Sequence, residues 1–463
     1  MSKAYFFCLC SLISFQAFSQ SVVVSPDPKP YHLFGSRVAI HENTFITATN
    51  PSSLLKEVFA FKKSGNEWVT DGKLVNAAQL AGDAYGSALS IYGDYAVVGA
   101  SSAFNKEGRV YVFKRTGPGD WKLETVLNST DKATGDAFGW AVSIYENTIL
   151  VGAPDKFSGT GAAYIFKMTN GLWRQEAQLF SSNAPNGRFG TWLSLYGDYA
   201  VVSANQREKV FIYERDGSSW PQKITLNSPS ASINFGTSVS VYKENLLVGA
   251  FNDDQAGNNA GAAFLYTREA GQWKLSKKLI ASDAAARKNF GGRVAIAENY
   301  AVIGTLYELA NSTITDGSAY TFKKDGDNWL EQEKHLTPSS DFYGWNVAID
   351  NNIALVGAYG ADLEGTDSGA AYLYELPEIS GVKENAEAIS FKIFPNPANN
   401  FIQLEYPEDL KPESVWIFNA EGKMIKYYES APTQVPIHFL LPGSYYLKIT
   451  SQGRFGLVNF VKN

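Results

Sequence analysis

Residues 138–154 read FGWAVSIYENTILVGAP, and this stretch decides the fold. A glycine follows an aromatic residue, and then come an alternating apolar strand, a short polar turn and a second strand that ends in small residues. The aromatic–glycine pair occurs seven times, as Phe34-Gly35, Tyr85-Gly86, Phe138-Gly139, Phe189-Gly190, Phe235-Gly236, Phe290-Gly291 and Tyr343-Gly344. Successive glycines are 51, 53, 51, 46, 55 and 53 residues apart. This nearly even spacing predicts a chain built from seven repeats.

Each repeat continues with further matched pieces. The second strand ends in small residues, as in YGDYAVVGA (92–100) and YKENLLVGA (242–250). After a variable polar loop, a third strand carries two aromatic residues on one face: Phe59/Phe61, Tyr111/Phe113, Tyr164/Phe166, Phe211/Tyr213, Phe264/Tyr266, Tyr320/Phe322 and Tyr372/Tyr374. A fourth strand carries a tryptophan in six repeats: Trp68, Trp121, Trp173, Trp220, Trp273 and Trp329.

Every repeat therefore predicts four short strands with period-2 alternation. Four antiparallel strands repeated seven times make a seven-bladed β-propeller, so we expect an all-β chain. Small residues suit the crowded centre of such a ring, and the aromatic pairs suit the wider gaps between blades. The seventh repeat lacks its tryptophan strand. We therefore expect Ser21–Ser25 to complete the last blade and close the ring.

The composition and the first residues exclude several classes of function. A net charge of −6 over 463 residues argues against a nucleic-acid partner or a basic membrane-binding patch. Residues 1–19 combine Lys3, a short apolar run and small residues, which predicts a secretory signal peptide, with a membrane anchor as the alternative. No segment is long and apolar enough to cross a bilayer, so we expect no transmembrane segment. Cys8 and Cys10 both lie in residues 1–19, so the exported chain has neither disulfides nor a thiol nucleophile.

The repeats resemble the FG-GAP repeat of integrin α-subunit propellers and of their bacterial relatives, over about Phe34 to Glu375. Integrin-type repeats often carry a calcium loop of the Asp-x-Asp-x-Asp-Gly type between the first two strands. At that place this sequence has short turns such as YGDY, YENT and YKEN. These turns offer too few oxygen ligands for calcium, so we expect no metal site there and no cofactor.

The repeat pattern ends with the propeller domain, which we predict to span 20–378. A polar linker, 379–390, leads to alternating strands in 391–463, enough for a small β-sandwich. With PNP (395–397), IFNAEGK (417–423) and LPGSYYLKI (441–449), this segment looks like the C-terminal sorting domain of type IX secretion substrates. The resemblance implies that the type IX secretion machinery is a partner. It also implies a secreted or outer-membrane-surface protein of a Gram-negative bacterium, with a plain accessory sandwich as the alternative.

The sequence contains no recognisable set of catalytic residues. The four histidines, His32, His41, His335 and His438, are scattered over different repeats and the C-terminal segment, and they do not have metal-ligand spacing. There is no nucleophile elbow, phosphate loop or zinc helix. The sequence therefore names no catalytic residue and no metal ligand, which favours binding over catalysis.

Two acidic loops and three tryptophans leave alternatives open. FNDDQAGNN (251–259) and ADLEGTDSG (361–369) either bind a cation or are ordinary solvated loops. Trp140, Trp192 and Trp345 follow the aromatic–glycine pairs closely. Near the axis of a propeller they either stack on sugars or pack between the blades.

The binding surface predicted from the sequence lies on the long connections between the second and third strands. These connections differ between repeats, and variable loops on a rigid scaffold are where recognition usually occurs. Several carry an aromatic residue, and two also carry carboxylates; the candidate ligand-binding residues are Phe104, Phe157, Phe251, Asp253, Asp254, Tyr307, Tyr359 and Asp362. Each ring either anchors a ligand or covers its own blade.

Together these patterns predict a secreted or cell-surface binding or adhesion protein that recognises a protein or a glycan. One alternative is an extracellular propeller hydrolase or polysaccharide lyase whose site is assembled from separate loops. Another is a structural surface component without a specific ligand.

Overall fold

The computed structural model describes residues 19–463 except 51–55, 81, 182, 231–232, 306–307, 311–312, 316, 327, 337–340, 378–390, 407–412, 420–423, 429–433 and 452–453. The chain divides into two compact units, Met1–Glu378 and Ile379–Asn463. Nearly all of the described secondary structure is β-strand, as the sequence predicts. The predicted linker, 379–390, and all but the last residue of the predicted signal peptide lie outside the described residues.

In its described residues the larger unit contains seven four-stranded antiparallel sheets, which we number in chain order. The first strand of the chain, β1 (Ser19–Val24), belongs to the seventh sheet and is described below. Sheet 1 contains β2 (Arg37–His41), β3 (Thr44–Ala48), β4 (Val58–Ser64) and β5 (Glu67–Lys73). Sheet 2 contains β6 (Tyr85–Tyr92), β7 (Tyr95–Ala100), β8 (Arg109–Gly117) and β9 (Asp120–Leu127). Sheet 3 contains β10 (Ala141–Tyr145), β11 (Thr148–Ala153), β12 (Ala162–Thr169) and β13 (Leu172–Leu179).

The next three sheets repeat this order of strands. Sheet 4 contains β14 (Leu193–Tyr196), β15 (Tyr199–Ala204), β16 (Lys209–Glu214) and β17 (Gln222–Asn227). Sheet 5 contains β18 (Phe235–Tyr242), β19 (Asn245–Ala250), β20 (Ala262–Glu269) and β21 (Gln272–Leu279). Sheet 6 contains β22 (Phe290–Ile296), β23 (Tyr300–Thr305), β26 (Ala319–Asp325) and β27 (Asn328–His335). Between β23 and β26, β24 (Glu308–Ala310) and β25 (Thr313–Thr315) form a separate two-stranded sheet.

Sheet 7 joins the two ends of the larger unit. It contains β28 (Tyr343–Asp350), β29 (Ile353–Ala358) and β30 (Ala370–Glu375), and its fourth strand is β1. β1 pairs antiparallel with β30, and Val22 lies opposite Tyr372. The prediction that the segment near Ser21–Ser25 closes the ring is confirmed, with strand bounds of Ser19 and Val24.

The seven sheets are arranged around an axis. The first strand of each sheet contacts the first strand of the next, in the cycle β2, β6, β10, β14, β18, β22, β28 and back to β2. Short helical segments follow the second strands of sheets 2, 3 and 4: α1 (Ala103–Lys106), α2 (Lys156–Gly159) and a 3₁₀ turn at Asn205–Arg207. This arrangement is the predicted β-propeller.

The repeated glycines are explained by close contacts between neighbouring sheets. A Cβ atom at Gly152, near the end of β11, would lie 2.0 Å from the carbonyl oxygen of Gly190 in the next repeat. Gly139 has φ +85°, and a Cβ there would lie 2.5 Å from the Arg109 carbonyl oxygen of the preceding sheet. Backbone therefore packs on backbone where a side chain has no room, as predicted for the centre of the ring.

The hydrophobic core is divided into clusters between neighbouring sheets. Val97 and Val112 of sheet 2 pack in one cluster with Phe138, Tyr164 and Phe166 of the sheet 3 repeat. The ring centre of Phe138 lies 5.5 Å from that of Tyr164, in an edge-on contact. The aromatic residues thus fill the gaps between blades, as the sequence predicts.

The smaller unit is also built from strands. Their bounds are β31 (Lys392–Phe394), β32 (Phe401–Glu405), β33 (Ser414–Asn419), β34 (Met424–Tyr428), β35 (Gln434–Pro436), β36 (Gly443–Ser451) and β37 (Arg454–Lys462). They form a three-stranded sheet (β31, β32 and β35) and a four-stranded sheet (β34, β33, β36 and β37). Ile402 and Val435 of the first sheet share a buried core with Ile417, Leu447 and Phe460 of the second. Two sheets with a common core make the predicted β-sandwich.

Candidate ligand-binding site

The first strands of the seven sheets surround a cavity of about 370 Å³ on the axis of the ring. One position of the repeat supplies a lining side chain from every sheet. It lies two residues after each repeated glycine and holds Arg37, Ala88, Ala141, Trp192, Ser238, Arg293 and Asn346. The residue after it is aliphatic in every repeat and also lines the cavity. A ring of seven similar strands therefore brings side chains of five different kinds together.

The cavity lies at the end of the ring that carries the long, variable connections. Its lining comes from the first residues of each first strand, together with Ser101 just after β7. In an antiparallel four-stranded sheet, the start of the first strand and the end of the second strand lie at the same end. The predicted loop surface and the axial cavity consequently share one face of the propeller.

Arg293 is the most enclosed charge in the cavity wall. Its side chain is only 8% exposed, and its guanidinium lies 4.3 Å from the ring centre of Trp192 and 5.5 Å from that of Trp345. Nη1 donates a hydrogen bond to the Gly292 carbonyl oxygen at 2.7 Å, whereas Nε is buried and has no partner in the described part of the chain. Burial, with the positive charge of Arg37 as a second cause, lowers the pKa of Arg293 to about 9.

Arg37 is the second cation of the wall. Its Nε donates to the Ser87 carbonyl oxygen at 2.9 Å and its Nη1 to the Ser36 carbonyl oxygen at 2.8 Å. Burial lowers its pKa. Burial and the charge of Arg37 also lower the pKa of Lys56. Within the described residues neither Arg37 nor Arg293 forms an ion pair, so both guanidinium charges remain without a counterion.

Neutral groups complete the wall. The Trp140 side chain is 40% exposed, and the guanidinium of Arg188 lies 5.2 Å from its ring centre. The buried hydroxyl of Ser87 has no hydrogen-bond partner in the described residues. Of the three tryptophans considered in the sequence, Trp140 and Trp192 line the cavity, and Trp345 packs against Arg293. All three pack on arginine side chains near the axis, and stacking on a sugar stays a prediction.

At six positions on the inner edges of the first strands, the backbone N–H group is already hydrogen-bonded. Each of these N–H groups donates to a side-chain oxygen of a neighbouring first strand: Ile144 to Ser90, Leu195 to Ser143, Val241 to Ser194, Val294 to Ser238, Ile296 to Ser240, and Val38 to Asn346. The donor–acceptor distances are 3.0 to 3.2 Å. These contacts link the sheets around the axis and satisfy groups that an added peptide strand would need.

At the ends of the first strands that lie away from the cavity, five of the sheets carry aromatic side chains. His41, Tyr92, Tyr145, Tyr196 and Tyr242 end the first strands of sheets 1 to 5. Neighbouring rings in this series lie 4.3, 5.0, 4.6 and 4.7 Å apart between centres. Burial raises the pKa of Tyr145 to about 12. This end of the axis is packed with aromatic rings, and none of them lines the cavity.

The loop residues predicted from the sequence have varied surroundings. The Phe104 ring is 59% exposed and lies 4.2 Å from the guanidinium of Arg109, in the same sheet. The Phe157 ring is also exposed and lies 5.0 Å from the ammonium of Lys156. Phe251 is half-buried. Tyr307 lies outside the described residues.

The predicted carboxylates are hydrogen-bonded within their own loops or sheets. Asp253 is buried and pairs with Lys278 at 2.7 Å. Asp254 accepts a hydrogen bond from the Asn259 N–H at 2.6 Å, and Asp362 accepts one from the Asp367 N–H at 2.7 Å. In the described part of the chain, no three His, Cys, Asp or Glu side chains are grouped closely enough to hold a metal ion.

Tyr359 connects the predicted loop surface with the cavity wall. Its ring stacks on Phe342 with centres 4.7 Å apart and meets Trp345 edge-on at 5.5 Å. Trp345 in turn lies against Arg293. Burial raises the pKa of Tyr359 to about 12, and the charge of Arg37 acts in the opposite direction.

The arginines were not among the residues predicted from the sequence. The signal that identifies them is the pattern aromatic–Gly–x–x–aliphatic, which all seven repeats share. Its second x is the position that varies between Arg, Ala, Trp, Ser and Asn and that faces the cavity. Variation inside a regular motif therefore marks the candidate site, whereas the prediction was based only on variation in the long loops.

Family comparison agrees with this architecture. The FG-GAP repeat family matches residues 68–113, 121–166, 220–266, 273–322 and 330–374, which together are just over half of the chain. The chain therefore belongs to the FG-GAP repeat family. Each match begins at or just after a tryptophan in or just before the fourth strand, and it ends in the third strand of the next sheet.

A second family covers the smaller unit. Residues 392–462 match the secretion system C-terminal sorting domain. The protein is accordingly secreted or placed on the outer-membrane surface of a Gram-negative bacterium, and its export depends on type IX secretion. No helix in the described part of the chain is both long enough and apolar enough for a membrane span.

Among solved structures, the WD40 β-propeller domain of Doa1 is similar, with a TM-score of 0.45 and 9% sequence identity. The similarity covers 78% of this chain and 98% of that chain. A search of curated proteins gave no significant match.

Proposed function

We propose that this chain is a surface binding protein whose ligand occupies the axial cavity of the propeller. One observation carries the proposal: all seven sheets direct a side chain into one cavity, and those side chains do not follow the repeat. Contacts that only hold the ring together have no reason to differ between equivalent sheets. A cavity of about 370 Å³ is within the usual size of small-ligand sites.

The chemistry of the wall favours binding over catalysis. Its described lining contains arginine, tryptophan, serine and asparagine side chains but no aspartate, glutamate or histidine. A hydrolase or lyase needs a general acid or base within hydrogen-bond reach of the reacting atoms. Binding needs only shape, stacking surface and hydrogen bonds, and the cavity offers all three.

The long loops at the same end of the ring are part of this proposal as its rim. Tyr359 contacts Trp345 next to the cavity, whereas Phe104 and Phe157 are exposed above their own sheets. An adhesion role follows if the ligand belongs to another cell or to a surface. The domain boundaries, with a signal peptide at 1–19, the propeller at 20–378, a linker at 379–390 and the sorting domain at 391–463, are also part of the proposal.

The test compares the cavity with the loops. The exported chain, residues 20–463, is screened against a glycan array and a panel of purified extracellular proteins. Replacing Ala141, whose side chain faces the cavity, with phenylalanine fills the site without removing a binding group. Ala141→Phe should weaken the detected binding more than tenfold, and Asp94→Ala, at a short turn on the opposite face, should change it less than twofold.

The loop variants Phe104→Ala and Phe157→Ala give the competing result. If they abolish binding and Ala141→Phe does not, the ligand site lies on the loops and the axial proposal is wrong. Thermal unfolding of each variant shows whether a loss of binding comes from a loss of fold.

A further inference from the structure

We propose, building on the axial site above, that the ligand is an oligosaccharide that carries a carboxylate or sulfate group, and that Arg37 and Arg293 hold this group. Both guanidinium groups belong to the cavity wall, and within the described residues neither has an acidic partner. Among the described residues that line the wall there is no aspartate or glutamate.

Two unpaired guanidinium groups at one cavity are costly without a ligand. A buried charge loses its hydration, and an unpaired one regains little of that loss inside the protein. The positive charge of Arg37 acts on Arg293, so the two side chains also repel each other. An oxyanion placed between them removes both costs, because guanidinium forks fit carboxylate and sulfate oxygens in pairs.

The donors of the two arginines are still available. Arg293 uses Nη1 for a backbone carbonyl, and its buried Nε has no partner in the described residues. Arg37 uses Nε and Nη1 for two backbone carbonyls, which fix its orientation. In the described residues the Nη2 group of each arginine makes no hydrogen bond, so these two groups can bind an oxyanion without a change of rotamer, whereas Nε of Arg293 is buried.

The neutral part of the wall favours a sugar. Trp140 is 40% exposed at the cavity, and indole faces are suited to stacking on sugar rings. Asn346 also lines the cavity and is only half-buried, and its side-chain amide can bind a sugar hydroxyl.

An acidic peptide is disfavoured by the inner strand edges. Peptides that bind to sheets usually pair with free backbone groups at an edge. Here six edge N–H groups already donate to serine or asparagine side chains at 3.0 to 3.2 Å. The cavity therefore recognises its ligand through side chains, which suits a sugar better than an extended peptide.

The experiment is calorimetric titration of the exported chain with defined probes. The probes are trimers of galacturonate, glucuronate and mannuronate, the methyl ester of each trimer, a sulfated heparin disaccharide, and a triglutamate peptide. At least one acidic or sulfated sugar should bind, and neutralising a uronate by esterification should weaken binding at least tenfold. This comparison needs no variant, so it does not depend on the folding of a mutant.

Variants then locate the contact. Arg293→Gln should weaken binding of the anionic sugar at least tenfold, and Arg293→Lys should restore part of it. The matched control is Arg174→Gln, an exposed arginine on the outer strand of sheet 3, which should change the affinity less than twofold. If uronate and sulfate probes both bind, the result supports recognition of an oxyanion. Their relative affinities then show whether the cavity prefers a carboxylated or a sulfated sugar.

Four results would overturn this inference. In the first, a methyl ester binds as well as its acid and Ala141→Phe still blocks binding. This result rejects an anionic ligand but agrees with binding in the axial cavity. In the second, the acidic sugars bind but Ala141→Phe does not weaken their binding. This result rejects both the anionic ligand and the axial binding site. Tighter binding of triglutamate than of any sugar assigns the site to acidic peptides. No binding of any anionic sugar at millimolar concentration also rejects it.

Discussion

Two regions of the propeller are built by neighbouring positions of the same repeat: the contacts between sheets, and the wall of the axial cavity. The residue type is constant at the first region and varies at the second. At the contacts between sheets, every repeat has the glycine of the aromatic–glycine pair. At five of these glycines a Cβ would lie within 2.5 Å of a backbone oxygen of the preceding repeat, and at Gly86 and Gly236 it would meet side chains at 3.0 and 3.1 Å. Two residues later the side chain is arginine, alanine, tryptophan, serine or asparagine. The ring needs the same contact seven times, but a ligand on the axis does not have sevenfold symmetry. Regular positions therefore make the scaffold, and irregular positions make the site.

The largest effect should come from a close contact between two sheets. A Cβ at Gly152 would lie 2.0 Å from the Gly190 carbonyl oxygen, a distance that requires two sheets to move apart. Gly152→Ala should lower the free energy of unfolding by about 4 kcal/mol or more. The control is Gly117→Ala, where a Cβ meets nothing within 4 Å. Equal urea midpoints for the two variants would show that the close contact does not matter.

Ring closure should follow with a slightly smaller effect. In β1, Val23 is buried in the core shared with Phe34 and Phe59, whereas Val22 is 47% exposed. Val23→Asp buries an unpaired charge and should cost about 3 to 4 kcal/mol. Val22→Asp, one residue away, should cost less than about 1 kcal/mol. Similar losses for both variants in chemical denaturation would contradict the role of β1 in closing the ring.

Acid should weaken the contact between sheets 6 and 7 at His335. Its ring lies 4.1 Å from that of Tyr374, and burial lowers its pKa to about 4. The unfolded chain, with a histidine pKa of about 6.5, therefore binds a proton before the folded chain does. Stability from this residue is complete above about pH 6.5 and is lost as the pH falls towards 4, with a total of about 3 kcal/mol.

The pH prediction is checked by urea unfolding between pH 4 and 7. His335→Gln removes the titrating group, so its curve should fall less steeply with acid than that of the unchanged protein. The exposed-loop variant Phe104→Ala serves as a control and should keep the original slope. Parallel curves for His335→Gln and the unchanged protein would assign the acid sensitivity to other groups.

The same distinction explains what the sequence could predict. The glycines, the aromatic pairs and the closing strand repeat at fixed spacing, so their contacts could be predicted from one unit and copied. The cavity could not be predicted in this way, because Val38 and Asn346 are 308 residues apart in sequence and meet only when the ring closes. The loop aromatics were predicted as candidate ligand-binding residues, but the sequence alone does not show that Phe104 lies over Arg109.

The most direct test of the central claim needs no ligand. If Arg293 is present for binding rather than for the fold, its unpaired buried charge lowers stability in the free protein. Arg293→Met keeps most of the side-chain volume between Trp192 and Trp345 and removes the charge. The account predicts that its free energy of unfolding, measured in urea without ligand, rises by about 1 to 2 kcal/mol. A fall of about 1 kcal/mol or more would show that Arg293 serves the scaffold, and it would contradict the axial site.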